Sequence, residues 1–270
     1  MGIHPFVATV AEETRRQPVV QVLGRVGMVL YGVVHVVVAW LAIQVVLGGS
    51  EQTDQKGAVQ ALAETPLGPL LLWVLAIGLV CFAVWQFTLA LVGYRYIPKK
   101  RKRITRRFGS VGRGITSCAI AFAAFKYATS GDAGNSTEQQ QTFTAKVLAM
   151  PGGQLLVGAV AIGILVVAGA IFRKGVKKSF EQDLDMSKAP SWIEPVGRVG
   201  WIGKGCAYGV IGVLVGLAAI YADPEQSGGL DKALHTLAAQ PFGAILLALV
   251  AVGLAAFGVY CFVAARAQKG

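Results

Sequence analysis

The word Gly-Arg-Val-Gly occurs at Gly24–Gly27 and again at Gly197–Gly200, each time opening an apolar run of membrane length. A degraded third version, Arg106-Arg107-Phe108-Gly109, opens another. From the last glycine of each word the alignment carries on through Gly32, Gly114 and Gly205 in the first run. It continues past the loop through Pro66, Pro151 and Pro241, then Gly68, Gly153 and Gly243, then Gly78, Gly163 and Gly253. Self-similarity of this kind marks one supersecondary unit used three times. Each copy contains two apolar runs, so successive copies cross a membrane in the same direction, and parallel repeats are related by an axis along the membrane normal.

Hydrophobic residues make up 54% of the 270-residue chain, charged residues 14%, and the mean hydropathy is +0.59. A soluble domain carries about a quarter charged residues. The chain lacks the polar surface to cover itself in water, and lipid is the expected solvent. The spans are expected at about 26–47 and 68–94, 109–129 and 153–172, and 197–221 and 242–265. About 20 helical residues cross a hydrocarbon core of about 30 Å. The expected fold is all-α and polytopic: six transmembrane helices as three parallel two-helix repeats in a pseudo-threefold bundle. The pieces AVQALAE, FTAKVLA and LDKALHTLAA predict short amphipathic helices in the outer loops. The expected organisation is an N-terminal segment 1–23, repeats at 24–95, 106–173 and 197–266, and linkers at 96–105 and 174–196.

Charge predicts topology. Of the 25 Lys and Arg residues, 20 fall in the N-terminus, the two long linkers and the C-terminus, counting Arg113. The three helical loops hold eight of the 14 acids and one lysine each, Lys56, Lys146 and Lys232. The positive-inside bias therefore predicts cytoplasmic termini and linkers. The net charge of +11 reads as topology before it reads as nucleic-acid binding, and no nucleic-acid partner is expected. Arg95, Lys99, Lys100, Arg101, Lys102, Arg103, Arg106 and Arg107 form a polybasic stretch expected to contact anionic lipid headgroups.

The glycines have a packing role. Helices in lipid gain little by burying apolar surface on each other, so close backbone approach must hold them. Gly27, Gly32, Gly109, Gly114, Gly200, Gly205, Gly209, Gly212 and Gly216 are the expected contact positions. The pattern of paired spans, G-R-x-G…G followed by P-x-G, resembles the DUF1206 family of bacterial membrane proteins from Gly24 to Arg266. The resemblance implies an integral protein of the bacterial plasma membrane and supplies no established activity or catalytic residues. The second copy departs from it, with Arg106 where the others have Gly24 and Gly197.

The alignment also produces a polar layer. Tyr31, Arg113 and Lys204 are equivalent, and one turn deeper so are His35, Ser117 and Tyr208. The deeper set is expected about 10 Å inside the membrane boundary. Ionisable groups at that depth are expensive and face the interior, a wet cavity or, by snorkelling, the headgroups. No Asp or Glu lies in any of the six runs, which counts against ion-coupled transport. His35 is the one histidine in a run, and a bis-histidine haem needs two. Cys81, Cys118, Cys206 and Cys261 lie in apolar runs without a C-x-x-C and read as buried small side chains. No cofactor, metal or catalytic residue is expected, and no common enzyme motif occurs. Two functional expectations follow. The first is a non-enzymatic scaffold or accessory subunit. The alternative is a small facilitator or channel with an inward-facing cationic vestibule for anions or lipid headgroups.

Overall fold

A computed structural model describes residues 18–49, 52–92, 100–131, 134–187 and 189–267. Among them the chain is all-helical. The long helices are α1 (Pro18–Val46), α3 (Gly68–Val92), α4 (Lys100–Ser130), α6 (Gly153–Val176), α7 (Ile193–Tyr221) and α9 (Gly243–Ala267). Each contains a segment long and apolar enough to span a membrane. The short helices α2 (Gln55–Ala63), α5 (Ser136–Leu148) and α8 (Leu230–Ala238) lie in the loops between paired spans. The protein is a polytopic membrane protein of three tandem repeats, here A (α1–α3), B (α4–α6) and C (α7–α9). The end of the bundle bearing α2, α5 and α8 is the cap end, and the opposite end is the linker end. Residues 1–17 of the N-terminal segment, with Arg95 and Lys99, lie outside the described residues.

Three helices begin earlier than the apolar pattern alone suggests, α1 at Pro18, α4 at Lys100 and α7 at Ile193. No Gly or Pro interrupts Lys100–Phe108, and Lys and Arg are good helix formers, so the polybasic residues from Lys100 onward form the first turns of α4. The α7 helix starts at Ile193, with Pro195 tolerated in its first turn. At the other end of each repeat the Pro-x-Gly turn is built alike three times. The N–H groups of Gly68, Gly153 and Gly243 donate to Thr65, Met150 and Gln240 at 2.7–2.8 Å. A side chain at any of the three would strike the carbonyl of the preceding short helix.

The short helices are tied across the cap. Asp54 and Asn135 cap α2 and α5, each accepting two backbone N–H bonds. The Asp231 carboxylate of α8 accepts from Thr53 N at 2.7 Å and from Thr137 Oγ1 at 3.1 Å, joining loops of all three repeats. Lys56 Nζ adds a bond to Gln139 Oε1 at 2.6 Å.

Each repeat packs extensively on the next: α3 on α4, α6 on α7, and α9 on α1. This contact has one repeated element. An added Cβ at Gly32 would stand 2.8 Å from the Phe262 ring, at Gly114 2.8 Å from the Phe87 ring, and at Gly205 2.7 Å from the Phe172 backbone. Phe87, Phe172 and Phe262 occupy aligned positions, so the contact is threefold. Within a repeat the result differs. In A, Gly27 packs on Phe82 and Gly78 on Leu30; in C, Gly200 packs on Phe257 and Gly203 on Gly253. In B, the aligned Gly109, Gly112 and Gly163 meet no neighbouring helix, and α4 and α6 make no comparable packing among the described residues. The ring is open at one seam.

The seam corrects one expected packing position, Gly109. Gly209 likewise meets nothing, and Gly216 only reaches ordinary contact with Ala161, while Gly212 does pack on Leu165. The physical reason for the seam lies in the second spans. Positions 82 and 257 are Phe and positions 85 and 260 are Trp and Tyr, but repeat B has Val167 and Ala170 there. Without those rings nothing fills the space between its helices. Cysteine burial is corrected as well: Cys261 is buried, but Cys118 and Cys206 lie on the outer surface and Cys81 is intermediate.

Candidate functional site

Three of the six aligned polar residues come together where α1 faces α7. Tyr31, His35 and Lys204 are 2%, 4% and 5% exposed. The Lys204 ammonium donates to Tyr31 Oη at 3.0 Å and to His35 Nε2 at 3.2 Å, and it lies 3.8 Å from the centroid of the Phe257 ring. His35 Nδ1 lies 2.8 Å from the Tyr31 carbonyl oxygen. A carbonyl only accepts, so Nδ1 carries the proton and Nε2 offers its lone pair to Lys204. Every one of these partners is neutral. Cation–π contact and neutral acceptors stabilise an ammonium in low dielectric without cancelling its charge. Snorkelling is therefore corrected for Lys204: its stem runs inward, because the aromatic faces and the lone pair of His35 supply what the headgroups would.

Arg113, the third member of its layer, stands apart. Its Nε donates to Gln86 Oε1 at 3.2 Å and its guanidinium to Ser110 Oγ at 3.0 Å. Gln86 is fully buried, and its Nε2 donor has no hydrogen-bond partner among the described residues. Such an orphan donor calls for an acceptor. Ser117 is buried but bonds back to the Arg113 carbonyl at 2.8 Å, a local helix contact. Tyr208 is half-buried and joins neither group.

A cavity of about 30 Å³ lies on the axis at the linker end, lined among others by Tyr31, Arg113, Lys174, Asp183, Trp201 and Cys261. That volume holds one or two waters. Toward the cap the bundle is filled by Val38, Ala42, Ala121 and Ala124, each 3% exposed or less. No open path along the axis passes that layer.

The acid in the lining comes from the linker between B and C. Residues Ser179–Asp183 form a short 3-10 turn that folds back into the bundle mouth. Phe180 and Leu184 are fully buried, and Phe180 meets the Tyr260 ring edge-on at 5.5 Å. Asp183 sits between Lys174, at 2.9 Å, and Arg106. Lys174 also lies 3.8 Å from the centroid of the Trp201 ring. Asp185 N donates to the carbonyl of Ala267 at 2.6 Å, closing the plug onto the end of α9. The sequence signal for this plug was the pair Phe180 and Leu184, one helical turn apart in an otherwise charged linker.

This reassigns part of the polybasic stretch. Arg106 is bound to the Ser179 carbonyl at 2.7 Å and to Asp183, so it serves the plug rather than the headgroups. Lys100 and Arg101 are exposed, Arg103 and Arg107 half-buried, and the Lys102 side chain lies outside the described ones.

Three tandem segments, residues 26–93, 108–178 and 199–268, match the Domain of Unknown Function DUF1206. The chain belongs to the DUF1206 family. The matched segments coincide with repeats A, B and C, so the DUF1206 unit is the paired span with its short cap helix. This DUF1206 chain is also 32% identical over 260 residues to the uncharacterized protein YxxB of Bacillus subtilis (strain 168), covering 94% of this chain and 93% of that protein. No solved structure matches it.

Proposed function

We propose that this DUF1206 protein binds an anionic group in the cationic vestibule at its linker end. The positive-inside bias supports a cytoplasmic placement of that end. The observation that carries the reading is Lys204. The contacts of this buried side chain are a phenol, an imidazole and two aromatic faces, and none of them is an anion. Both Tyr31 and Phe257, which hold it, line the adjoining cavity with Arg113 and Lys174. Burying cations in a membrane is costly, and an anion in the cavity offsets the cost. Asp183 is the carboxylate already at the mouth, and the 179–184 plug is the element whose release would admit a ligand.

The test is thermal unfolding in neutral detergent with inorganic phosphate or glycerol 3-phosphate as soluble probes. At saturating probe the midpoint is expected to rise by about 5 °C. Lys204→Met and Arg113→Gln should each remove that rise. No stabilisation by either probe sinks the vestibule. A scaffold role has its own supporting observation, the scant burial of the α6 span at 17%. A protein that co-purifies reproducibly from native membranes would favour it.

A further inference from the structure

We infer that the open seam between α4 and α6 seats an anionic phospholipid, with an acyl chain between the two helices and the headgroup phosphate beside Arg113 and Lys174 at the linker end. This rests on the anion-binding reading of the vestibule and names its ligand. Four observations converge on it. The aligned seams of A and C are closed by Gly27 on Phe82 and Gly200 on Phe257, while in B Gly112 and Gly163 face open space and Gly109 meets only Arg113 of its own helix. The walls are apolar, with Val160 and Val167 about half exposed. The two helices that flank the seam contribute Arg113 and Lys174 to the cavity lining. Beside Arg113, Gln86 Nε2 is a fully buried donor without an acceptor among the described residues. The seam thus opens to hydrocarbon along its length and has cations at the linker end.

Charge decides between occupants. A transmembrane helix seated there would need its own carboxylate beside Arg113 and Lys174 to match their charge. In a second copy of this chain the expected apolar runs hold no Asp or Glu, and Glu194 at the start of α7 is already paired with Lys178. A phospholipid brings its anion already at headgroup level with its chain in hydrocarbon, and neither part is moved out of its preferred solvent.

The experiment places the full-length protein in nanodiscs of phosphatidylcholine and phosphatidylglycerol, one of which carries a photoactivatable acyl chain. The phosphatidylglycerol probe is expected to label α4 and α6 around Gly112 and Gly163 about tenfold more than the phosphatidylcholine probe. Val167→Phe, which restores the ring present in A and C, should lower that labelling to the phosphatidylcholine level. Gly112→Leu does the same from the other wall, at a position with open space around it. In both variants stabilisation by inorganic phosphate should remain, which separates the lipid seat from the vestibule. Equal labelling by the two lipids overturns the inference, as does labelling unchanged in the variants. Disulfide capture between two copies carrying Gly163→Cys overturns it too, because another chain then fills the seam. If wild-type protein is stabilised by neither phosphate probe, the vestibule reading itself has failed.

Discussion

In repeats A and C the paired spans meet through Gly27 on Phe82 and Gly200 on Phe257, whereas in B the aligned Gly109 meets no helix and Val167 is half exposed. All three copies hold this glycine, so glycine alone does not close a helix pair. It permits close approach; the aromatic opposite supplies the van der Waals contact that makes approach worthwhile in lipid. Between repeats the aromatic is present every time, as Phe87, Phe172 and Phe262, and the contact forms every time. The bundle is therefore held by three equivalent joints between repeats and two of three possible joints within them.

The sharpest way to break this comparison is to put bulk into a closed joint and an open one. Gly200→Leu would drive a side chain into the Phe257 backbone, with the first added atom 2.6 Å away. It should cost about 3 kcal/mol or more of stability, measured by reversible unfolding in mixed micelles. Gly109→Leu should stay within about 0.5 kcal/mol in the same assay, apart from helix propensity. Equal costs at the two sites would mean that the seam is closed.

Exchanging the aromatic tests the filling role. Phe257→Val copies the residue of B into C and should destabilise by about 2 kcal/mol, because it opens a cavity and removes a face from Lys204. A neutral result would separate closure from the ring.

The plug gives a smaller effect with a distinct readout. Asp183→Asn leaves Lys174 and Arg106 without their carboxylate and should cost about 2 kcal/mol or somewhat less, given its partial exposure. In a background where Cys81, Cys118 and Cys206 are replaced by alanine, a water-soluble thiol reagent should then modify Cys261 faster. Cys261 lines the cavity the plug covers. Unchanged reactivity would show that residues 179–184 do not gate access.

Lys204→Met is expected to have a smaller effect than the plug substitution, and the opposite sign. Replacing a buried cation that has no acidic partner among the described residues with a similarly shaped apolar chain should stabilise the unliganded protein by about 1 kcal/mol. Destabilisation would mean that the ammonium is structural, with Tyr31 and His35 depending on it.

Much of the architecture was legible in the chain. Helix formation and hydropathy are properties of stretches of about 20 residues, so the number of spans, their pairing and the threefold repeat are written locally. The alignment also brought Tyr31 and Lys204 to one level, and with His35 they do cluster. What the alignment could not supply was direction. Arg113 and Lys204 are equivalent in sequence, yet one is held by Gln86 from repeat A and the other by Tyr31 and His35 of α1. Asp183 was read as part of a solvated linker and lines the cavity instead, because Phe180 and Leu184 gain more by burial than the turn loses by ordering.

By itself, then, the sequence determined an all-helical membrane protein of three parallel paired spans, because each span carries its own reason to be a helix in lipid. Only the tertiary structure decided which of the three internal seams stays open, and where the buried charges point. Those outcomes depend on whether a ring or a lone pair arrives from a segment a hundred or more residues away, as between Tyr31 and Lys204, 173 positions apart. The Gly-Arg-Val-Gly words announce a joint; the residue across from each one determines whether it closes.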